Sequence, residues 1–412
     1  MNIVYLHQYF VTPEQAGGTR SYEMARRLVA AGHRVDMITT NQNPGPDDPE
    51  WSVTDEAGIR VHWNRQPYNN RMGFSSRLKA FASFAVAASG RASSITDADV
   101  IFATSTPLTI ALPAMYASWR IGRPYVFEVR DVWPAVPIEM GVLKNPLLQW
   151  FARRLEHMAY HRAAHVVALA PGMGDDVANT NYPRDRITII PNGCDNHIFG
   201  EPTEQNALSE YDQWLGDRPL IVYAGAIGKV NGVGYLVDVA KAMLKHDPEI
   251  RFAIIGAGAI CDAIKDRAAE VGILDRNFKM IPAIPKRELA EWVQRAALCL
   301  ALIDAPRVLW KDAVQNKFFD ALAAGKPVIS NKPGWQNQIA EENDVGATMS
   351  DVDPEAAAEL LHRYARDSAW LADASIRARQ LAVGRFSRDH LAQQLENCLA
   401  NVVAERSGNS CP

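Results

Sequence analysis

The chain has 412 residues and a formal net charge of −4, with 48% hydrophobic and 22% charged residues. That length allows two or three domains with sizeable cores, and the charge supplies no global basic field of the kind that draws nucleic acid. Five cysteines, Cys194, Cys261, Cys299, Cys398 and Cys411, lie far apart and form no Cys-x-x-Cys pair, which argues against a disulfide framework or a zinc cluster and reads as reduced thiols in a cytosolic protein.

The opening Met1-Asn2-Ile3-Val4-Tyr5-Leu6 lacks the basic start of a signal peptide and runs directly into a strand over residues 3–6. Gly17-Gly18 then precede a helical pattern over 19–31. Such glycines either let a phosphate approach the backbone or merely turn the chain. A β-branched run predicts a strand over 35–39. Residues 71–91 are basic and amphipathic, with Phe74, Leu78, Phe81 and Ala85 on one helical face and Arg71, Arg77 and Lys79 nearby. Two readings stand: an acceptor-side helix lying on an anionic inner-membrane surface, or an ordinary helix packed on the first domain. Nineteen residues from Ile101 to Trp119 carry no charge, but Pro107, Pro113, three threonines and two serines fall within them. They read as a strand over 100–103 that ends near Ser105 and a helix opening at Pro107, not a membrane span.

Strands over 125–129 and 166–168 flank a helix over 146–164. A polar stretch, 191–219, holds Asn192-Gly193 and Gly200-Glu201-Pro202 and marks a boundary. Beyond it come strands over 220–224, 252–255, 298–302 and 327–330, with helices over 235–245, 260–271, 286–295 and 317–324. Each series opens on a strand that enters glycines and then a helix; in the second these are Gly225, Gly228-Lys229 and Gly232. The alternation predicts an α/β chain of two Rossmann-like domains facing across a cleft, since ligands of such sheets bind beyond the carboxyl ends of the strands.

The segment from Lys311 to Ile329 carries the most chemistry. A polar loop leads into a helix that starts near Asn316, ends at Gly325 and passes into a buried strand. The free N–H groups of a helix start, with the dipole behind them, form an anion site. Lys317 sits beside it, and Asp320 follows Asn316 by one turn on the same face. A diphosphate at the helix start would place a ribose within reach of the Asp320 carboxylate.

This segment resembles the E-x7-E region of retaining glycosyltransferases of the GT-B fold, family 4, with aspartates Asp312 and Asp320 at the two acidic positions. Further matches run in family order: Gly17-Gly18 with Arg20, Gly32-His33-Arg34-Val35, Pro191-Asn192-Gly193-Cys194-Asp195, Tyr223-Ala224-Gly225 and Ile255-Gly256-Ala257-Gly258. Glu128-Val129-Arg130-Asp131-Val132-Trp133-Pro134 and Gly228-Lys229-Val230-Asn231-Gly232-Val233 resemble a bacterial subgroup that includes N-acetyl-L-fucosamine transferases of surface-polysaccharide assembly, such as that of O-antigen.

The resemblance implies an acceptor-side domain over 1–195, a nucleotide-sugar domain over 196–384, and a helix over about 385–412 returning to the first. It implies that Asp320 binds the donor ribose, the N–H groups near Asn316 and Lys317 bind its phosphates, and Lys229 neutralises the diphosphate. Asp312 would face the transferred sugar, with Gly17, Gly18, Gly225, Gly256 and Gly258 around the donor. Asp131 stands where many relatives carry a histidine close to the reacting sugar, and a carboxylate there could orient the acceptor hydroxyl or take its proton. UDP is the expected nucleotide, and a lipid-linked saccharide the expected acceptor. Neither a metal nor another cofactor is expected, nor a nucleic-acid partner, and the enzyme is expected to work in the cytoplasm at the inner face of the membrane.

Plainer readings stand beside these. Asp320 could be a solvated helix carboxylate, Asp312 a helix cap, Lys229 an exposed loop lysine, and Asp131 a structural partner of Arg130. Gly256 and Gly258 could form a bare turn. Asp351-Val352-Asp353 has the D-x-D form of manganese-dependent transferases, but with Pro354 next, Asp353 reads as an N-cap. Rival functions are a nucleotide-sugar epimerase or a phosphorylase on the same scaffold, and a non-catalytic nucleotide-sugar-binding subunit.

Overall fold

A computed structural model describes every residue except 14, 16, 17, 69–71, 106, 132, 203–206 and 409–412. The chain divides into two compact units, one of Met1–Pro191 with Arg388–Pro412, the other of Asn192–Ser387.

In the first unit the strands are β1 (Asn2–Leu6), β2 (Arg34–Asn41), β3 (Trp51–Glu56), β4 (Ile59–Arg65), β5 (Val100–Thr104), β6 (Tyr125–Val129), β7 (His165–Ala168) and β8 (Ile187–Ile189). They form one sheet in the order β3-β4-β2-β1-β5-β6-β7-β8. Only β3 is antiparallel to its neighbour. The helices are α1 (Arg20–Ala30), α2 (Phe74–Ser93), α3 (Ala111–Ile121), α4 (Ala135–Glu139), α5 (Pro146–His161) and α6 (Pro171–Ala178), and a last helix, α17 (Arg388–Gly408), returns to this unit. Val4 and Leu6 of β1 point into a core shared with α2, α3 and α5, while Ile3 and Tyr5 point into one shared with α1 and α17. A strand covered on both faces needs apolar residues at every position, which is why β1 and β5 read as unbroken apolar runs.

Two features depart from the sequence pattern. The β3–β4 hairpin turns on Ala57 and Gly58, with φ of 54° and 81°; it lacks the Asn-Gly or Asp-Gly signature, and β3 is an exposed edge with no apolar run. In α2 the buried face follows the expected stripe only at Ala85, since Phe81 is half-buried and the Phe74 side chain lies outside the described part. It runs through Ala80, Phe84, Ala88 and Ala92, and leaves Leu78 44% exposed. Small residues let α2 lie close against α3, so the alanines set the packed stripe.

The second unit contains β9 (Leu220–Ala224), β10 (Arg251–Ile255), β11 (Phe278–Ile281), β12 (Leu298–Ala301), β13 (Val328–Ser330) and β14 (Gly346–Thr348), all parallel, in the order β11-β10-β9-β12-β13-β14. Its helices are α7 (Asn196–Phe199), α8 (Asp212–Leu215), α9 (Tyr235–His246), α10 (Cys261–Glu270), α11 (Lys286–Arg295), α12 (Arg307–Trp310), α13 (Asn316–Ala323), α14 (Trp335–Glu342), α15 (Pro354–Arg366) and α16 (Ser368–Val383). Both units are therefore Rossmann-like, as the alternation of strands and helices predicts.

In each sheet the strand order reverses at the first strand: β1 lies between β2 and β5, and β9 between β10 and β12. Loops leaving the strands on either side of such a reversal diverge and open a crevice beyond the carboxyl ends. The loops after β9 and β10 are pressed together there. Gly225 N–H donates to Ile255 O at 2.9 Å, and Ile227 N–H to Ala257 O at 2.9 Å. A Cβ on Gly256 would lie 1.9 Å from Gly225 O, and one on Gly258 2.1 Å from Ile227 O. The two glycines are thus required by backbone contact within the protein. Gly256→Ala, with φ at 155°, is expected to cost about 2–5 kcal/mol of stability from strain and overpacking; a denaturant midpoint equal to wild type would refute this packing.

Candidate functional site

Helix α13 starts at the switch point of the second sheet. Gln315 stands at its N-cap with extended backbone and no side-chain cap. Its amide is engaged elsewhere: Nε2 donates to Leu302 O at 3.0 Å, while its backbone exchanges hydrogen bonds with the Gln336 amide at 3.0 Å each. These bonds fix the approach to the helix and leave the helix start uncovered by its own cap. The preceding loop is tied down as well. Trp335 N–H donates to Lys311 O at 2.8 Å, and the Asn192 amide donates to Val314 O at 2.9 Å. In the sequence Asn192 marks only a domain boundary and a motif of the resemblance, so this tether is a role the sequence does not reveal.

Asp312 is buried in this loop, with Lys311 Nζ 3.3 Å from its carboxylate. The following helix starts at Asn316 under Gln315, so Asp312 does not cap it. Lys317 points back under the helix start. Its Nζ lies 4.0 Å from the centroid of the Tyr223 ring, and a Cβ on Gly225 would meet that Nζ at 3.3 Å. Burial away from water disfavours the charged form, and the Lys317 amine is pushed down to about 7. Asp320, one turn on, is mostly buried and has Lys286 Nζ 3.8 Å from Oδ1. Lys286 also pairs with Asp195, so one ammonium at the start of α11 serves two carboxylates. Asp320 is thus no solvated surface acid. Lys286 carried no signal in the sequence beyond opening a helix.

Lys229 is exposed on the short turn Lys229–Asn231, which Asn231 closes by accepting from Gly228 N–H at 3.1 Å. It lines a cavity of about 490 Å³ with Tyr235, Asp304, Asn331 and Asp351, whose walls include none of Asp312, Lys317 or Asp320. The structure therefore brings Gly225 to Lys317, and Asp320 to Lys286 and Asp195, while Lys229 borders a neighbouring space. Asp351 pairs with Lys332, and Asp353 caps α15 by accepting from Glu355 and Ala356 N–H at 3.1 Å each. Among the described residues no group of three or more His, Cys, Asp or Glu is placed to hold a metal ion.

In the first unit, Gly17 lies outside the described residues, and Gly18 is half-buried before α1. Arg20 is buried and bound to Glu128 at 2.8 Å and to Ile190 O at 2.8 Å, so it ties α1 to β6 and to the end of the unit. Asp131 is exposed just past β6. Its neighbour Arg130 reaches His7 Nε2 at 3.3 Å. His7 and Gln8 follow β1 at this sheet's switch point, and both are buried; among the described residues, His7 Nδ1 and both polar atoms of the Gln8 amide have no hydrogen-bond partner. Burial and the Arg130 charge hold His7 well below its ordinary value, hence neutral. Neither residue stood out in the sequence. Of the residues expected at an acceptor or membrane side, Arg71 and the Phe74 side chain lie outside the described part. Arg77 donates to Met72 O at 3.0 Å, Lys79 is exposed, and Phe81 packs its ring 6.1 Å from Tyr68.

Comparison with known proteins agrees with this layout. Residues 16–193 match the family described as “Glycosyl transferase 4-like domain”, and residues 218–367 the one described as “Glycosyl transferases group 1”. The probable glycosyltransferase WbjE of Pseudomonas aeruginosa is 26% identical over 268 residues, a region that covers 64% of this chain and 65% of that protein. Among solved structures, sucrose-phosphate synthase from Thermosynechococcus elongatus superimposes with a TM-score of 0.73 at 17% identity, covering 98% of this chain and 99% of the other. Anabaena HepE in complex with UDP and glucose gives 0.70 at 17% identity, covering 97% and 100%. These two likenesses show the fold.

Proposed function

Because the chain belongs to the glycosyltransferases that carry the 4-like domain followed by the group 1 domain, we propose that it is a retaining, metal-independent transferase. In this reading it moves a sugar, N-acetylfucosamine or another N-acetylhexosamine, from a UDP-linked donor to a lipid-linked or saccharide acceptor in surface-polysaccharide synthesis. The observation that carries the proposal is the meeting, at one switch point, of an uncapped helix start, the buried amine of Lys317 and the carboxylate of Asp320. That HepE is described with UDP bound supports the choice of nucleotide.

The first N–H groups of α13 and Lys317 hold the diphosphate, with Lys229 as a second cation. Asp320 accepts ribose hydroxyls, and Lys286 holds that carboxylate in place. Asp312 faces the transferred sugar. As the bond to the sugar breaks, the departing diphosphate gains charge, and fixed dipoles with a nearby cation stabilise it. Asp131 orients the acceptor hydroxyl, and the neutral His7 and the Gln8 amide supply further polar contacts on the acceptor side. Attack comes from the face the diphosphate leaves, which retains the anomeric configuration.

The test is a thermal-shift screen of UDP-sugars, because a donor that binds the folded chain raises its melting point. Transfer assays with the best donor follow, in the presence of EDTA, with the anomeric coupling of the product read by NMR. Transfer with retention that survives EDTA is expected. Donor conversion without acceptor would indicate an epimerase, a requirement for inorganic phosphate a phosphorylase, and binding with neither transfer nor hydrolysis a non-catalytic subunit.

A further inference from the structure

The histidine that follows β1 can be assigned its proton atom by atom. Arg130 Nη1 lies 3.3 Å from His7 Nε2. A guanidinium has donors and no acceptor, so the ring nitrogen that faces it offers a lone pair. Burial and the Arg130 charge hold His7 well below its ordinary value, and a neutral imidazole carries a single proton. That proton is therefore on Nδ1. His7 is 3% exposed, and among the described residues its Nδ1 has no hydrogen-bond partner.

The frame around this group is rigid. His7 N–H donates to Ile38 O at 3.1 Å, and the next carbonyl, Gln8 O, accepts from Thr39 Oγ1 at 3.1 Å and Thr40 Oγ1 at 2.6 Å. Arg130 N–H donates to Ser105 Oγ at 2.9 Å, and Ser105 N–H donates to Glu128 O at 2.8 Å. His7 and Arg130 are thus anchored at the carboxyl ends of β1, β2, β5 and β6, around the reversal of strand order where ligands of such sheets bind. Burying an N–H without an acceptor is costly. A fixed frame that keeps one suits a site whose acceptor atom arrives with the ligand.

We infer that His7 gives its Nδ1–H to an oxygen lone pair of the acceptor saccharide, and that Arg130 is the positioning residue that holds the ring in this tautomer. The inference rests on the sugar-transfer reading and sharpens it. The contact atom of the ligand is a hydroxyl, ring or carbonyl oxygen, because an ammonium would meet an N–H beside a guanidinium. The same geometry removes His7 as the base: its lone pair faces Arg130, so the proton of the attacking hydroxyl passes to another group.

Two measurements test it. Nitrogen-15 NMR of the full chain, labelled at histidine and free of ligand, should show His7 with its proton on Nδ1 at neutral pH, the signal being identified by its loss in His7→Asn. Arg130→Met should let that proton move to Nε2. A wild-type proton on Nε2 overturns the inference, and this reading stands even where a variant fails to fold. In transfer assays with a saccharide acceptor, His7→Gln should raise the acceptor KM by about 2–10-fold, the loss of one neutral hydrogen bond, with kcat changed less. His7→Asn should recover most of that loss, since its Nδ2–H stands where Nδ1–H stood, whereas the glutamine amide reaches to the place of Nε2. Equal KM values in wild type and both variants, or recovery by glutamine in place of asparagine, overturn the inference while leaving sugar transfer intact. A chain that transfers from no donor, with the wild-type proton still on Nδ1, defeats the sugar-transfer reading and the acceptor role with it, and leaves only the tautomer.

Discussion

Replacing Lys317 with methionine is expected to lower kcat/KM for the donor roughly a hundredfold or more, the cost of removing one fixed group that stabilises developing charge, about 3 kcal/mol. Two pH effects make the assignment specific. With its amine near 7, unliganded Lys317 is mostly uncharged at about pH 8, and a bound diphosphate would draw a proton onto it. Donor binding should therefore take up a proton at that pH, and affinity should fall as the pH rises through that range. Calorimetry of UDP binding in two buffers of different ionisation enthalpy measures the uptake; equal heats from wild type in both would sink the role.

The second effect concerns stability. Folding lowers the Lys317 pKa from the ordinary 10.5 to about 7, so between those values the unfolded chain binds more protons than the folded one. Its destabilisation is then complete below pH 7 and fades as the pH rises towards 10.5. The methionine variant should melt above wild type in mild acid, with the gap closing in alkali.

The second large effect is expected at Asp320. A carboxylate that accepts ribose hydroxyls contributes about 1.5–3 kcal/mol, so Asp320→Ala should weaken UDP binding by roughly 10–150-fold. The variant should also lose discrimination: wild type is expected to prefer UDP over its 2′,3′-dideoxy analogue, and the alanine variant to bind both equally weakly. Lys286 keeps its pairing with Asp195 in that variant, so folding should survive. A variant that still separates the two nucleotides would move the ribose elsewhere.

Much of the architecture can be read from the residues because parallel strands covered on both faces leave continuous apolar runs, as in β1, β5, β9 and β10. The N-cap at Asp353 is equally plain, since Pro354 allows a helix to start but not to continue through it. The short strands escape such reading. β8 and β14 have three residues each, and β14 is Gly-Ala-Thr, in which glycine and alanine are poor strand formers and only threonine favours one. Edge strand β3 is mostly polar and exposed, so the hairpin it forms with β4 left no apolar pattern.

The candidate site divides in the same way. Asp312, Asn316, Lys317 and Asp320 are legible because one loop and one helix carry them at fixed spacing. The tether from Asn192 to Val314 and the bridge from Lys286 to Asp195 join residues 122 and 91 positions apart, and only the fold brings them together. His7 and Gln8 were missed because burial, not residue type, makes them unusual; in sequence they are two polar residues after a strand.

The return of the final helix has a consequence for biosynthesis. Leu391, Leu395 and Leu399 complete a core begun by β1 and α1, yet the ribosome makes the whole of Asn192–Ser387 before it reaches them. At about 5–20 residues per second, that interval lasts roughly 10–40 s. During that time Met24 and Leu28 lack part of their cover, so the nascent chain exposes a sticky apolar seam that chaperones can occupy until translation nears its end.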